Sequence, residues 1–172
     1  MRCERRTAYR TLPMGYSYGM LADTRQLITD FARVSTLAGV SVNERDIRHE
    51  SFLAPHQNPK LPRGCYALYV FFSLTTDGSV VLKVGKAGPK SAARFESQHY
   101  LPGSCNSNLG KSIVLNKAQW TKLGISGVEE TTIGNWLRNN TDRDHFFLST
   151  SPPVINLFEA FLQCRLRPLF EG

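Results

Sequence analysis

The chain holds no apolar run long enough to cross a bilayer. Its longest, residues 66–72, falls far short of the roughly 20 residues a spanning helix needs. A helical membrane protein is therefore not expected. Cysteine is sparse and unpatterned. Cys3, Cys65, Cys105 and Cys164 form no C-x-x-C pair and no Cys/His zinc spacing. Free thiols in a reducing cytoplasm are expected rather than a disulfide framework. The first residues, MRCERRTAYR, are charged, and no apolar segment follows them, so no secretory signal is expected. Internal repeats and low-complexity tracts are also missing. Negative charge is scarce in one place, residues 51–118, which carry 8 Lys+Arg against 2 Asp+Glu.

The rest is that of an ordinary globular protein. The 172 residues suit one compact domain with an N-terminal extension. An apolar share of 41% and an aromatic share of 10% suffice for a core, which excludes a wholly disordered chain. The net charge is +7, and residues 51–118 supply +6 of it. A basic segment with few carboxylates attracts polyphosphates by Coulomb attraction and counterion release. Lys83, Lys86, Lys90, Arg94 and Lys111 either serve that purpose or solvate a surface.

Periodicity places the elements. Leu21, Leu27, Ile28, Phe31, Val34 and Leu37 recur at helical spacing, which predicts a helix over 20–38, ended by Gly39. Pro55, Pro59 and Pro62 make 51–64 an extended connection, and a boundary between an arm-and-helix segment (1–60) and a core domain (61–172) is expected there. Residues 65–74 and 79–85 read as strands joined by Thr75-Thr76-Asp77-Gly78, an antiparallel hairpin. Helices follow over 90–100, 108–115 and 129–139, then a strand over 145–149. A last helix over 154–166 is stopped by Pro168. Asn139 to Asp144 read as a turn, which sets aside a metal cluster of Asp142, Asp144 and His145. Trp120 and Trp136 read as core residues rather than base-stacking platforms. The order β-β-α-α-α-β-α predicts an α+β fold with a small, mainly antiparallel three-stranded sheet flanked by helices.

One motif is a decoy. Gly103 and Gly110-Lys111-Ser112 suggest a phosphate loop, but six residues separate the glycines where four are required, and no strand leads in. Asn108 reads there as a helix N-cap. A second constellation carries more. Gly64-Cys65-Tyr66 opens the first hairpin strand and Lys83-Val84-Gly85-Lys86 closes the second. Arg94 follows on the next helix and Glu159 sits in the last one. This set resembles the GIY-YIG nuclease family over about residues 62–171. The resemblance implies a metal-dependent endonuclease acting on DNA, of a restriction or defence kind. Duplex cleavage would call for a homodimer. The alternative is a non-catalytic nucleic-acid-binding module that retains the fold.

The resemblance also implies roles. Tyr66 would be the general base; its phenol, ordinarily near pH 10, needs a neighbouring cation such as Lys83 or Lys86. Lys83 stands where the family usually has Tyr, as in some members of its restriction branch. There it would hold water or lower the phenol's pKa, unless it is an exposed edge lysine. Alternation puts Val81, Lys83 and Gly85 on one face and Leu82 and Val84 on the other. Arg94 would clamp the scissile phosphate. Four residues on, where the family often has His or Tyr, stands Gln98. His99 comes one later, about 140° from Arg94 around a helix; it would assist proton transfer or simply be exposed. Glu159 would bind Mg²⁺ or Mn²⁺ as the single carboxylate. It borders the polar side of its helix with Asn156, Gln163 and Arg167. Lys86, Lys90 and Lys111 would contact nucleic acid. Glu171 stands near where the family often has Asn.

Overall fold

The structure, a computed structural model, describes residues 24–75, 78–101 and 108–170. The expected arm at 1–20, Thr76-Asp77 of the hairpin turn, Gly103 of the decoy loop, the Asn108 cap side chain and Glu171 lie outside the described residues. Four strands run β1 Arg48–Phe52, β2 Tyr66–Thr75, β3 Gly78–Ala87 and β4 Asp142–Leu148. They form one sheet in the order β1-β4-β2-β3, with every neighbouring pair antiparallel. The helices are α1 Thr24–Leu37, α2 Ala92–Glu96, α3 Asn108–Leu115, α4 Ile133–Asn140 and α5 Pro152–Leu166.

Both faces of the sheet are covered, so its central strand β2 reads as a near-continuous apolar run. On one face Ala67, Tyr69 and Phe71 meet Phe95, Leu109, Ile113, Ile133 and Leu137 from α2, α3 and α4. On the other, Leu68, Val70 and Phe72 meet Leu27 and Phe31 of α1 and Val154, Phe158 and Leu162 of α5. Phe31 and Phe158 stack at 3.9 Å between centroids, and Arg165 reaches Asp30 at 3.1 Å across the same pair of helices. Each such fully buried apolar side chain stabilises by about 1.5–3 kcal/mol. After α5 the chain turns back. The Leu169 and Phe170 amides donate to the Val81 and Leu82 carbonyls, and Phe170 buries itself in the first core.

The α+β class and the antiparallel sheet match the sequence reading, but the sheet has four strands rather than three. The added strand is β1. It pairs with β4, and α1 packs beside α5, so residues 24–52 share the sheet and core of the rest. The Asn139–Asp144 segment is also corrected. β4 begins at Asp142, because its polar side chains find partners across the sheet rather than in a turn. The helix expected over 90–100 shortens to a 3-10 turn at Pro89–Ser91 and the five residues of α2. A bulge corrects the alternation. Phe71 pairs with Lys83 and Phe72 with Val81, leaving Leu82 as the extra residue. Leu82 therefore packs in the first core, while Val81 and Val84 pack in the second.

Candidate functional site

Strand register decides which candidate residues meet. Tyr66 packs in the same layer as Leu68, and Leu68 pairs with Lys86. Tyr66 and Lys86 are thus diagonal neighbours on the face that α5 covers. Glu159, on the second turn of α5, accepts a hydrogen bond from Lys86 Nζ at 2.5 Å on Oε2. The pair is partly screened from water, with side-chain exposures of 36% and 18%. Tyr66 is half-buried, and its ring occupies the space a side chain at residue 88 would need. A Cβ on Gly88 would lie 2.5 Å from Tyr66 Cε1. Gly88 opens the turn into α2, so Tyr66 stands at the root of the segment that carries Lys90 and Arg94. Both of these cations are exposed. On the other flank Leu148, the cross-strand partner of Tyr66, helps line a cavity of about 210 Å³ with Ser41, Val42, Asp46, Ser149 and Thr150.

The remaining candidates lie elsewhere. Lys83 pairs with Phe71 and so belongs to the opposite face from Tyr66. Of the two lysines considered for the phenol, Lys86 is the one on its face. Lys111 is exposed on α3, in the layer away from Glu159. His99 is not on a helix surface. α2 has ended at Glu96, and the following turn carries His99 inward until it is 5% exposed. Its Nε2 lies 3.1 Å from the Tyr69 hydroxyl. Burial lowers its pKa to about 3, assisted by the charges of Arg143, Lys83 and Arg94. A neutral, enclosed imidazole is a structural hydrogen-bond partner rather than a proton shuttle open to solvent. Tyr69 keeps this position because Gly85 faces it. A Cβ there would lie 2.5 Å from Tyr69 Cζ.

The sequence reading missed a buried cation. Arg143 of β4 is fully buried, with its guanidinium 4.5 Å from the Phe71 ring centroid and 5.1 Å from that of Phe95. It donates to the Tyr100 hydroxyl at 2.6 Å and to the Phe95 carbonyl. No carboxylate pairs with it among the described residues. Aromatic faces take over part of that role through cation–π attraction. His56 approaches Tyr100 Oη at 3.3 Å, and burial holds its pKa at about 4. His145 is buried beside Phe95, its pKa pushed far down by burial and then by Arg143. The only advance signal was the mixed polar and aromatic run Asp142-Arg-Asp-His-Phe-Phe-Leu148, which reads as a strand once both faces are known to be covered.

Glu159 is the one predicted metal ligand. Its donor set, a single half-buried carboxylate, fits a hard cation that keeps water and takes further oxygens from a phosphate-bearing substrate. Among the described residues no three His, Cys, Asp or Glu side chains converge into a closed cage. Lys86 would have to release Oε2 or share it. No described helix is long and apolar enough to cross a membrane. No family model, curated protein or solved structure matches the chain.

Proposed function

We propose that the chain hydrolyses phosphodiester bonds in DNA, with a divalent cation at Glu159. The observation that carries this reading is that Tyr66 lies on the sheet face where Lys86 meets Glu159, beside the turn that leads to exposed Arg94. Phosphodiester cleavage needs a deprotonated nucleophile, compensation of charge on the phosphoryl oxygens, and relief of the leaving oxygen. Tyr66 is the base toward water, and Lys86 is the cation on its face of the sheet. Arg94 and Lys90 project into solvent, where they orient the phosphate; the planar fork of Arg94 suits two phosphoryl oxygens at once. Glu159 would hold Mg²⁺ or Mn²⁺, which supplies Lewis-acid stabilisation of the leaving oxygen when bound. Duplex scission requires two such centres, hence a homodimer on DNA, and a restriction or defence nuclease is the kind of enzyme that would use this chemistry.

A second reading is favoured by one specific contact. Lys86 already neutralises Glu159, so the carboxylate has a partner without any metal. On that reading the chain binds nucleic acid without cutting it. Supercoiled plasmid incubated with Mg²⁺ or Mn²⁺ separates the two. Nicking or linearisation by the wild type, lost by at least about 100-fold in Glu159→Ala and Arg94→Ala, supports hydrolysis. Metal-independent retention of the plasmid without scission supports the binding module.

A further inference from the structure

We propose that the outer edge of β1 is a self-pairing surface, where two copies of the chain join their sheets antiparallel about a two-fold axis at His49. The sheet has two ends, and the protein treats them differently. At the β3 end, the returning Leu169 and Phe170 amides occupy the Val81 and Leu82 carbonyls. At the β1 end, β4 takes the inner side of Arg48–Phe52. Among the described residues, no other segment makes a backbone hydrogen bond to that strand. An open row of N–H and C=O groups is a template for a further strand.

The side chains select the occupant. Arg48 and Glu50 share one face of β1, and His49 and Ser51 share the other. Arg48 lies over the Phe147 ring at 4.7 Å, and its Nε holds Glu50 Oε1 at 3.4 Å. That contact uses one nitrogen of the guanidinium and one carboxylate oxygen. The terminal nitrogens of Arg48 and Oε2 of Glu50 make no other ion pair among the described residues, so they are available to a second partner. The two side chains are 58% and 40% exposed. His49 and Ser51 both turn to Asp144 of β4, so neither calls for a partner across the open edge. A two-fold axis pairs residue i of one copy with residue j of the other, and j with i. With the axis at His49, Arg48 faces the second copy's Glu50, and Glu50 faces its Arg48. Two cross-strand ion pairs form. Moving the axis to Glu50 opposes two carboxylates, and moving it to Arg48 opposes two guanidinium groups. Opposite charges across a ladder stabilise and like charges destabilise, so charge selects the register. An edge blunted by charge of one sign would repel a second copy, whereas this one is complementary to itself. The two sheets then run on as one, with each Lys86–Glu159 pair at the end far from the junction. The hydrolytic reading calls for two copies, and β1 supplies a surface between them without resting on that reading.

Sedimentation velocity of the full chain, without DNA or metal, tests this over about 10 μM to about 1 mM, since a short edge gives a weak dimer. The expected result is a monomer–dimer equilibrium that high salt weakens. Arg48→Glu opposes carboxylates across the junction and Glu50→Arg opposes guanidinium groups. Each alone is expected to raise the dissociation constant at least about tenfold. Mixed in equal amounts, the two variants present opposite charges to each other again. They are expected to form a heterodimer within about threefold of the wild-type affinity. A pair acting only within one chain would not be restored by mixing. Circular dichroism of each variant checks that its fold is kept. Glu159→Ala is expected to dimerise like the wild type, so failure of the hydrolytic reading and failure of this interface are read separately. A wild type that stays monomeric over the whole range, single variants that dimerise as well as the wild type, or a mixture that stays monomeric overturns the proposal.

Discussion

Gly85 shows how one missing side chain supports a buried network. The Tyr69 ring fills the space that a Cβ would claim, and its hydroxyl meets His99. Gly85→Ala is expected to cost about 1–3 kcal/mol, because a fully buried tyrosine has nowhere to move. A lower urea midpoint with an unchanged slope would register it. The imidazoles make a second prediction at this scale. Three of the four histidines, His56, His99 and His145, are buried. His56 and His99 titrate at about 4 and about 3 when folded, against an ordinary 6.5. Between those values the unfolded chain binds protons that the folded chain refuses, so stability rises with pH. Stability is therefore full above about pH 6.5 and declines as pH falls toward 4 and then 3. Each group adds at most about 1.4 kcal/mol per pH unit. Urea unfolding at intervals from pH 7 to pH 4 reads that decline, and His99→Gln should make it shallower by about one proton.

Elements were legible where one pattern dominated. The β2–β3 hairpin, α3 and the body of α5 follow from apolar runs, Asp-Gly turn chemistry and proline stops. β1 was not legible, because Arg48-His-Glu-Ser-Phe52 has no apolar alternation and is held by a ladder to a strand far away in sequence. The bulge at Leu82 exchanged the faces expected for Val81 and Leu82, since strict alternation fails wherever an extra residue enters a strand, while Lys83 and Gly85 stay opposite Val84. His99 was misplaced for a related reason. Helical geometry was extended past Glu96, where α2 stops. In the candidate site, Lys86 beside Glu159 was not readable from spacing, since 73 residues separate them. The returning C-terminal segment is the element most open to test. Phe170 is 7% exposed and its amide satisfies the Leu82 carbonyl. Phe170→Ala is expected to cost about 3 kcal/mol and to loosen the cover on the outer strand β3. Thermal melting would show the loss, and light scattering would show any association through the bared edge.

At the scale of the whole molecule, the net charge of +7 and the exposed Lys90, Arg94 and Lys111 set the terms of any encounter with a polyanion. If these side chains neutralise phosphates, log affinity for duplex DNA falls linearly with log salt. Removing one such contact should reduce the slope by about one. Lys90→Ala and Lys111→Ala, measured by fluorescence anisotropy over a salt series, are expected to show that reduction. A change in affinity with no change in slope would assign those lysines to the protein's own surface. The layered build also divides the molecule optically. Trp120 and Trp136, the only two tryptophans in the chain, both pack against the core under α2, α3 and α4, and the layer of α1 and α5 has neither. Tryptophan emission, excited selectively over tyrosine, therefore watches one side of the sheet and is blind to the other, whereas far-ultraviolet ellipticity sees both. Coincident denaturation curves from the two signals would mean that the sheet couples its layers into a single cooperative unit. A gap between them would mean that the side carrying Glu159 can come apart on its own.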